Sequence, residues 1–375
     1  MVFNIVAKDK KSEARTGILH TKSGNIETPF FMPVATKMTA KYVSPDDFTN
    51  MGAKAVISNA FILSLKPGTK LIKKAGGIGK MMAWNGINFT DSGGFQMYTD
   101  SLYLGSNDDG VNFRNPYTGK VLYITPEKDM DIQLDINSDV AMCLDSMPLI
   151  ENSKEEIKKA IEKTRNWAIR CKKYHEERQK KIKLEDRQIL FGIIQGGIHS
   201  DLRKISTKEL VKLNFQGYSI GGLALGEPKK DEYKMIEVCK KIIPENKPVY
   251  LMGAGHPLEL LEAINRGCDM FDSRFPTRNA RHGSIYTWKG KINLLNQKHE
   301  NDLKPLDEMC DCFACKKYSK AYIRYLLKQK EGTGYKLASI HNLHFLQSLM
   351  KKARESIKNG KFQKLLKDFR KYYED

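Results

Sequence analysis

Short apolar runs recur along the chain, each closing on small or polar residues. They are PFFMPVA (29–35), KAVISN (54–59), INFTDSGG (87–94), DVAMCLD (139–145), ILFGIIQGG (189–197), GYSIGGL (217–223), VYLMGAG (249–255) and CDMFDS (268–273). Continuous Val/Ile/Leu/Met runs of this length predict strands covered on both faces, because a strand with one wet face would alternate. One stretch does alternate: ILHTKSGNIETPFF, around a Ser-Gly-Asn turn, predicts a hairpin near the N-terminus. Between the runs the period becomes helical. Residues 153–182 open with Ser153 and Glu156 spaced as a capping box and continue with Ile157, Ala160, Ile161, Trp167, Ala168 and Cys171. Residues 200–213, 230–242 and 257–266 are also amphipathic.

Eight strand-like runs separated by helices predict an α/β fold, a (β/α)8 barrel; periodicity alone leaves a doubly wound open sheet as the alternative. The polar endings favour the barrel. Asp91, Asp145, Gln195, Gly222, Gly253 and Asp272 all fall at the C-terminal ends of runs. In a barrel those ends meet on the face where active sites are built. A single acid at a strand end is usually a turn former or a helix cap. Three acids and a glutamine in equivalent places predict a site.

Length and charge sharpen this picture. The 375 residues accommodate a barrel of about 250 residues with an appendage. The expected division is a catalytic barrel with its hairpin over 1–294, a small subdomain over 295–345 and a basic C-terminal helix over 346–375. The last segment, LMKKARESIKNGKFQKLLKDFRKYYED, contacts an RNA or a second subunit, or is a solvated helix. No segment approaches ~20 consecutive apolar residues, so no membrane span is expected. The N-terminus lacks the apolar core of a secretory signal, so a cytoplasmic location is expected. Lys and Arg number 63 against 44 Asp and Glu, a net charge of +19. Such a balance fits either a lysine-rich solvated surface or a polyanionic partner.

Of seven cysteines, Cys143, Cys171, Cys239 and Cys268 are scattered, which argues against a disulfide framework. The others form C-x-C-x2-C: Cys310, Cys312 and Cys315, with His341 and His344 further on. Three soft thiolates and one imidazole suit a four-coordinate Zn2+. One of the two histidines completes the set; His341 is taken as the ligand. A closed Cys3His set staples the subdomain and does not activate water.

These motifs in this order resemble the bacterial-type tRNA-guanine transglycosylases, also called queuine tRNA-ribosyltransferases. The resemblance rests on FMPVATKMTAK (31–41), SNAFILSLKPG (58–68), NFTDSGGFQ (88–96), ITPEK (124–128), GIIQGG (192–197), GGLALGE (221–227), LMGAGHP (251–257), MFDSRFPTRNAR (270–281), CDCFAC and HNLHF. It implies a barrel with a structural zinc subdomain, usually a homodimer, acting on tRNA in queuosine modification. The guanine at the anticodon wobble position (34) is exchanged for a 7-deazaguanine, the aminomethyl precursor or queuine. Configuration is retained, so two displacements through a covalent aspartyl-ribose are implied.

On that resemblance Asp272 is the nucleophile and Asp91 the general acid/base. Asp145, Gln195, Gly222, Leu223, Gly253 and Ser92 read the base, and Phe95 and Met252 sandwich it. Arg274, Thr277, Arg278 and Arg281 contact tRNA. The arginines would hold phosphates and keep Asp272 ionised. Two departures touch the base's 7-substituent: Asp145-Ser146-Met147 replaces the usual Asp-Glu-Cys, and Leu225 replaces the valine of LAVGE. Two other readings are a non-catalytic RNA-binding subunit of the same fold and a zinc-dependent barrel hydrolase.

Overall fold

A computed structural model describes residues 2–93, 102–149 and 151–373. The eight runs form β1 (Phe30–Pro33), β2 (Ala55–Asn59), β3 (Ile87–Asp91), β4 (Val140–Met142), β5 (Ile189–Ile194), β6 (Gly217–Ile220), β7 (Val249–Leu251) and β8 (Met270–Ser273). They make one parallel sheet in the order β1-β8-β7-β6-β5-β4-β3-β2. A parallel bridge between Val34 and Ile57 joins its edges, with the Ala35 N–H donating to Ile57 O at 2.7 Å. The sheet is therefore a barrel, and the open-sheet alternative is excluded.

Side chains alternate across each strand, so every second residue points inward. Phe30, Met32, Ala55, Ile57, Ile87, Phe89, Val140, Met142, Phe191, Ile193, Tyr250 and Met270 share one buried cluster, which fills the interior. Phe89 sits among Phe30, Phe191 and Tyr250 at centroid distances of 6.1, 6.4 and 6.4 Å. The intervening residues pack beneath the helices in a second, larger cluster. The hairpin gains a third strand, Phe3–Lys8 beside Arg15–Thr21 and Gly24–Thr28. Its Phe3, Leu19 and Ile26 join the interior cluster and close that end of the barrel.

The helix Lys154–Arg178 begins as its capping box requires. Ser153 Oγ accepts from Glu156 N, and the Glu156 carboxylate accepts from Ser153 N at 2.7 Å. Helices Ser200–Lys212, Lys229–Lys240 and Pro257–Asn265 also match the amphipathic stretches. The pattern did not anticipate a small antiparallel sheet, Tyr103–Ser106, Val111–Arg114 and Val121–Ile124, inserted after β3. Toward the C-terminus, the helix Gly332–Lys358 runs through residue 345 without a break. Residues 346–375, expected as one helix, carry the second half of that helix and then the separate helix Phe362–Tyr373. Asn359-Gly360, with Gly360 at φ +65°, turns the chain between them, a conformation glycine adopts freely.

A buried ion pair fastens the hairpin to the barrel. Arg15 grips Asp269 with Nε–Oδ1 at 3.0 Å and Nη2–Oδ2 at 2.6 Å, both side chains almost fully buried. Its remaining donors reach the carbonyls of Glu245 and Lys247, and Asp269 Oδ2 also accepts from Val249 N. Removing one member leaves the other charge buried and unpaired. Arg15→Ala should therefore lose about 3–5 kcal/mol of stability. The check is urea unfolding, where the midpoint falls and the slope does not change.

Candidate active site

The inward row of each strand explains where the polar residues come from. Ile57, Phe89, Ile193, Tyr250 and Met270 are interior residues. The next inward positions, two residues on, are Asn59, Asp91, Gln195, Met252 and Asp272. They stand above the apolar filling at the C-terminal mouth. There they line a cavity of about 380 Å3 together with Ser92, Asp145, Gly222, Leu223 and Gly253.

Asp272, next to last in β8, is half-buried. Its Oδ1 accepts from Tyr250 Oη at 2.5 Å and from Gly253 N at 2.9 Å. Both bonds fall on one oxygen. Burial raises its pKa above the usual carboxylate range, and the two donors oppose that rise. The donors that hold the carboxylate are a phenol and a backbone amide. Of the cationic cluster, Arg274 lines the cavity beside Phe275. Thr277, Arg278 and Arg281 lie outside its lining, on the short helix Phe275–Arg281. Thr277 Oγ1 donates to Arg274 O, Arg281 Nη1 donates to Thr277 O, and Arg278 is exposed. Tyr250 escaped the sequence reading. The available signal was a tyrosine in a buried strand, whose hydroxyl must find a partner.

Asp91 ends β3 and accepts backbone hydrogen bonds from Gly93, at 3.0 Å, and Ala60. Burial first, and then the charge of Asp272, push its pKa up to about 8. Gly93 has φ +82°, and a Cβ there would lie 2.6 Å from Phe61 Cβ, so the turn that presents Asp91 requires glycine. Asp145 follows β4. Burial raises it to about 6, against hydrogen bonds from Gln195 and Ser92. The Gln195 Nε2–Asp145 Oδ2 distance is 2.6 Å, and Gln195 Oε1 is left buried without a partner among the described residues. That oxygen calls for a donor from a ligand. Met147 and Leu225, the two departures from the family pattern, both line the cavity. Phe95 lies outside the described residues.

Away from the cavity, Cys310, Cys312, Cys315 and His341 bring one potential ligand atom each within 4.8 Å of the others. His341 Nδ1 lies 3.6 Å from Cys312 Sγ and 3.2 Å from Cys315 Sγ. Its Nε2 is 2.7 Å from Tyr286 O, which makes Nε2 the protonated nitrogen and turns the Nδ1 lone pair toward the sulfurs. His344 instead pairs with Asp311 at 2.8 Å. The choice between the histidines is therefore resolved. The cluster can hold a metal ion, and its donor set fits zinc.

A closed parallel barrel with three carboxylates at its C-terminal mouth defines a (β/α)8-barrel enzyme. A family model described as queuine tRNA-ribosyltransferase matches residues 9–375. The chain is 47% identical over 364 residues to the queuine tRNA-ribosyltransferase of Staphylococcus aureus strain bovine RF122 / ET3-1, covering 97% of this chain and 94% of the relative. It is 46% identical, with the same coverage, to that of Macrococcus caseolyticus strain JCSC5402. The chain belongs to the queuine tRNA-ribosyltransferase family.

The Asp91 shift has a consequence for stability. With its pKa raised from 3.8 to about 8, the folded state keeps a proton that the unfolded state releases. Stability attributable to this group is present at low pH and declines as pH rises toward 8, by up to about 1.4 kcal/mol per unit. Asp91→Asn should therefore melt above the wild type, by a margin that grows from pH 5 to pH 8 and then levels off. Thermal melts across that range test this.

Proposed function

We propose that the protein is a tRNA-guanine transglycosylase of queuosine modification, a pentosyltransferase that replaces guanine 34 with a 7-deazaguanine. Asp272 carries this reading. Its Oδ1 is tied to Tyr250 and Gly253, which leaves Oδ2 for attack into a cavity that also holds a protonatable Asp91. Oδ2 bonds to the ribose C1′ as the C1′–N9 bond to guanine breaks, and Asp91 gives its proton to the departing base. The incoming base then attacks C1′, passes a proton to Asp91, and releases the Asp272 carboxylate. One aspartate must be ionised while its neighbour holds a proton, and the mutual repulsion of Asp91 and Asp272 favours that division.

Asp145, ionised near pH 7, would accept from the N1–H and amino group of the guanine edge. Gln195 and the Gly222 and Leu223 backbone would face the rest of that edge. Met252 packs on the base face, and Ser92 and Gly253 border it. Met147 and Leu225 would meet the 7-substituent, whether aminomethyl or the larger group of queuine. Arg274 at the rim, and Thr277, Arg278 and Arg281 beyond it, would follow the tRNA backbone. A homodimer and a cytoplasmic location belong to the same reading, on family membership; no helix among the described residues is long and apolar enough to cross a membrane.

Zinc on Cys310, Cys312, Cys315 and His341 would supply a four-point crosslink. These ligands are absent from the cavity lining, which disfavours a zinc hydrolase. A non-catalytic RNA-binding subunit is disfavoured by Asp91, Asp145 and Asp272 meeting in one cavity.

Asp272→Asn should abolish exchange of labelled guanine into unmodified tRNA while tRNA binding in a gel shift stays within about twofold, since the change removes only the group that acts in the transition state. Exchange at the wild-type rate would remove Asp272 as nucleophile. Cys312→Ala should lose the metal by elemental analysis and lower the melting temperature, because a structural zinc site contributes folding energy. An equally stable, metal-free variant would contradict the staple.

A further inference from the structure

Arg203 is fully buried in the first turn of helix Ser200–Lys212. Its acidic neighbour is Glu227, which acts on it electrostatically and whose carboxylate accepts from Ala224 N and Leu225 N in the loop after β6. All its side-chain hydrogen bonds go to backbone carbonyls. Nε donates to Gly197 O at 2.8 Å, Nη1 to Ile194 O at 2.9 Å and to Gly221 O at 2.8 Å, and Nη2 to Gly222 O at 3.2 Å. These carbonyls lie at the end of β5 and in the two loops that follow β5 and β6, the loops that carry Gln195 and the Gly222–Leu223 backbone into the cavity. Burying a guanidinium whose hydrogen bonds all go to neutral carbonyls is costly, and an apolar residue in its place would not incur that penalty.

The direction of the peptides suggests what the cation does. The Gly221–Gly222 and Gly222–Leu223 bonds are trans, so each N–H points opposite to its carbonyl. Both carbonyls are drawn toward the guanidinium on the protein side. The N–H groups of Gly222 and Leu223 therefore point away from it, and both residues line the cavity. Neither has an acceptor among the described residues. Gly222 holds this geometry at φ +63°, and a Cβ there would lie 2.4 Å from Gln195 Oε1.

We propose that Arg203 is a positioning residue for base recognition. Its buried charge fixes and polarises two consecutive peptides, so that their N–H groups form a paired donor for the carbonyl oxygen of a guanine-type base. The inference rests on the transglycosylase reading and deepens it. It attributes recognition of the carbonyl edge to a backbone nest set by a cation one layer back, and recognition of the amino edge to Asp145.

The test compares guanine with 2-aminopurine, which keeps the amino group and lacks the carbonyl oxygen. In the full-length enzyme, the KM for guanine exchange into tRNA and the Ki of 2-aminopurine as competitor are measured for wild type, Arg203→Lys and Arg203→Gln. Lysine keeps the charge but cannot span four carbonyls. The ratio of the two constants is internally controlled, because a smaller fraction of folded enzyme lowers the maximal rate and leaves both constants unchanged. Wild type should prefer guanine, and both variants should lose about tenfold or more of that preference, with the KM for tRNA unchanged. An undiminished ratio in either folded variant overturns the inference while leaving the transglycosylase reading intact. Failure of wild type to exchange guanine at all overturns that reading, and this one with it. If neither variant folds cooperatively, Arg203 serves the fold and not the loops, and the inference is likewise overturned.

Discussion

A strand that points every second side chain into a closed barrel reaches, at its end, a place that is neither core nor water. Asp91 and Asp272 occupy that place on β3 and β8. Both side chains are half-buried, and burial pushes both toward the neutral form. Desolvation is thus the constraint on which the site depends. It makes a carboxylic acid available near neutral pH at Asp91. It also makes Asp272 dependent on the two donors that hold Oδ1. A wetter mouth would give two ordinary aspartates, both ionised, and no proton to lend.

Such a mouth needs rigid surroundings, and the C-terminal region provides part of them. Asn342, next to His341, donates to Pro276 O and Ser284 O at 3.0 Å each and accepts from Tyr286 N. The segment that follows Asp272 is therefore clamped by the helix that carries the histidine of the Cys3His cluster. Tyr286 extends the connection: its carbonyl meets His341, and its hydroxyl reaches Gly255 O at 3.3 Å, beyond β7. A metal at that cluster would stiffen the loops around Asp272 and Gly253 without touching the reacting atoms. At the other end of the barrel, the Arg15–Asp269 pair does comparable work for the start of β8.

Much of this could be read from the chain alone, for definite reasons. Eight uninterrupted apolar runs specify strands buried on both faces, and all eight became barrel strands. Asp91, Gln195 and Asp272 were legible because each closes such a run at the inward parity. The Cys-x-Cys-x2-Cys spacing marked the metal cluster because thiols that close in sequence are close in space. Adjacency in sequence could not divide the arginines after Asp272: Arg274 stays at the cavity, while the helix Phe275–Arg281 carries Arg278 and Arg281 outside its lining.

The sequence by itself determined the order of the eight barrel strands, the parity that aims the acids inward, and the identity of the soft-ligand set, since these depend on neighbours along the chain. Only the tertiary structure decided which distant groups meet. It brought Tyr250 to Asp272, Gln195 to Asp145, Arg203 beneath Gly221 and Gly222, and His341 rather than His344 to the cysteines. Those contacts span from 18 to 50 residues of chain. The first three exist because barrel closure brings strand ends to one mouth, and the last because the helix Gly332–Lys358 packs against the cysteine segment; long-range geometry of either kind leaves no periodic trace in a sequence.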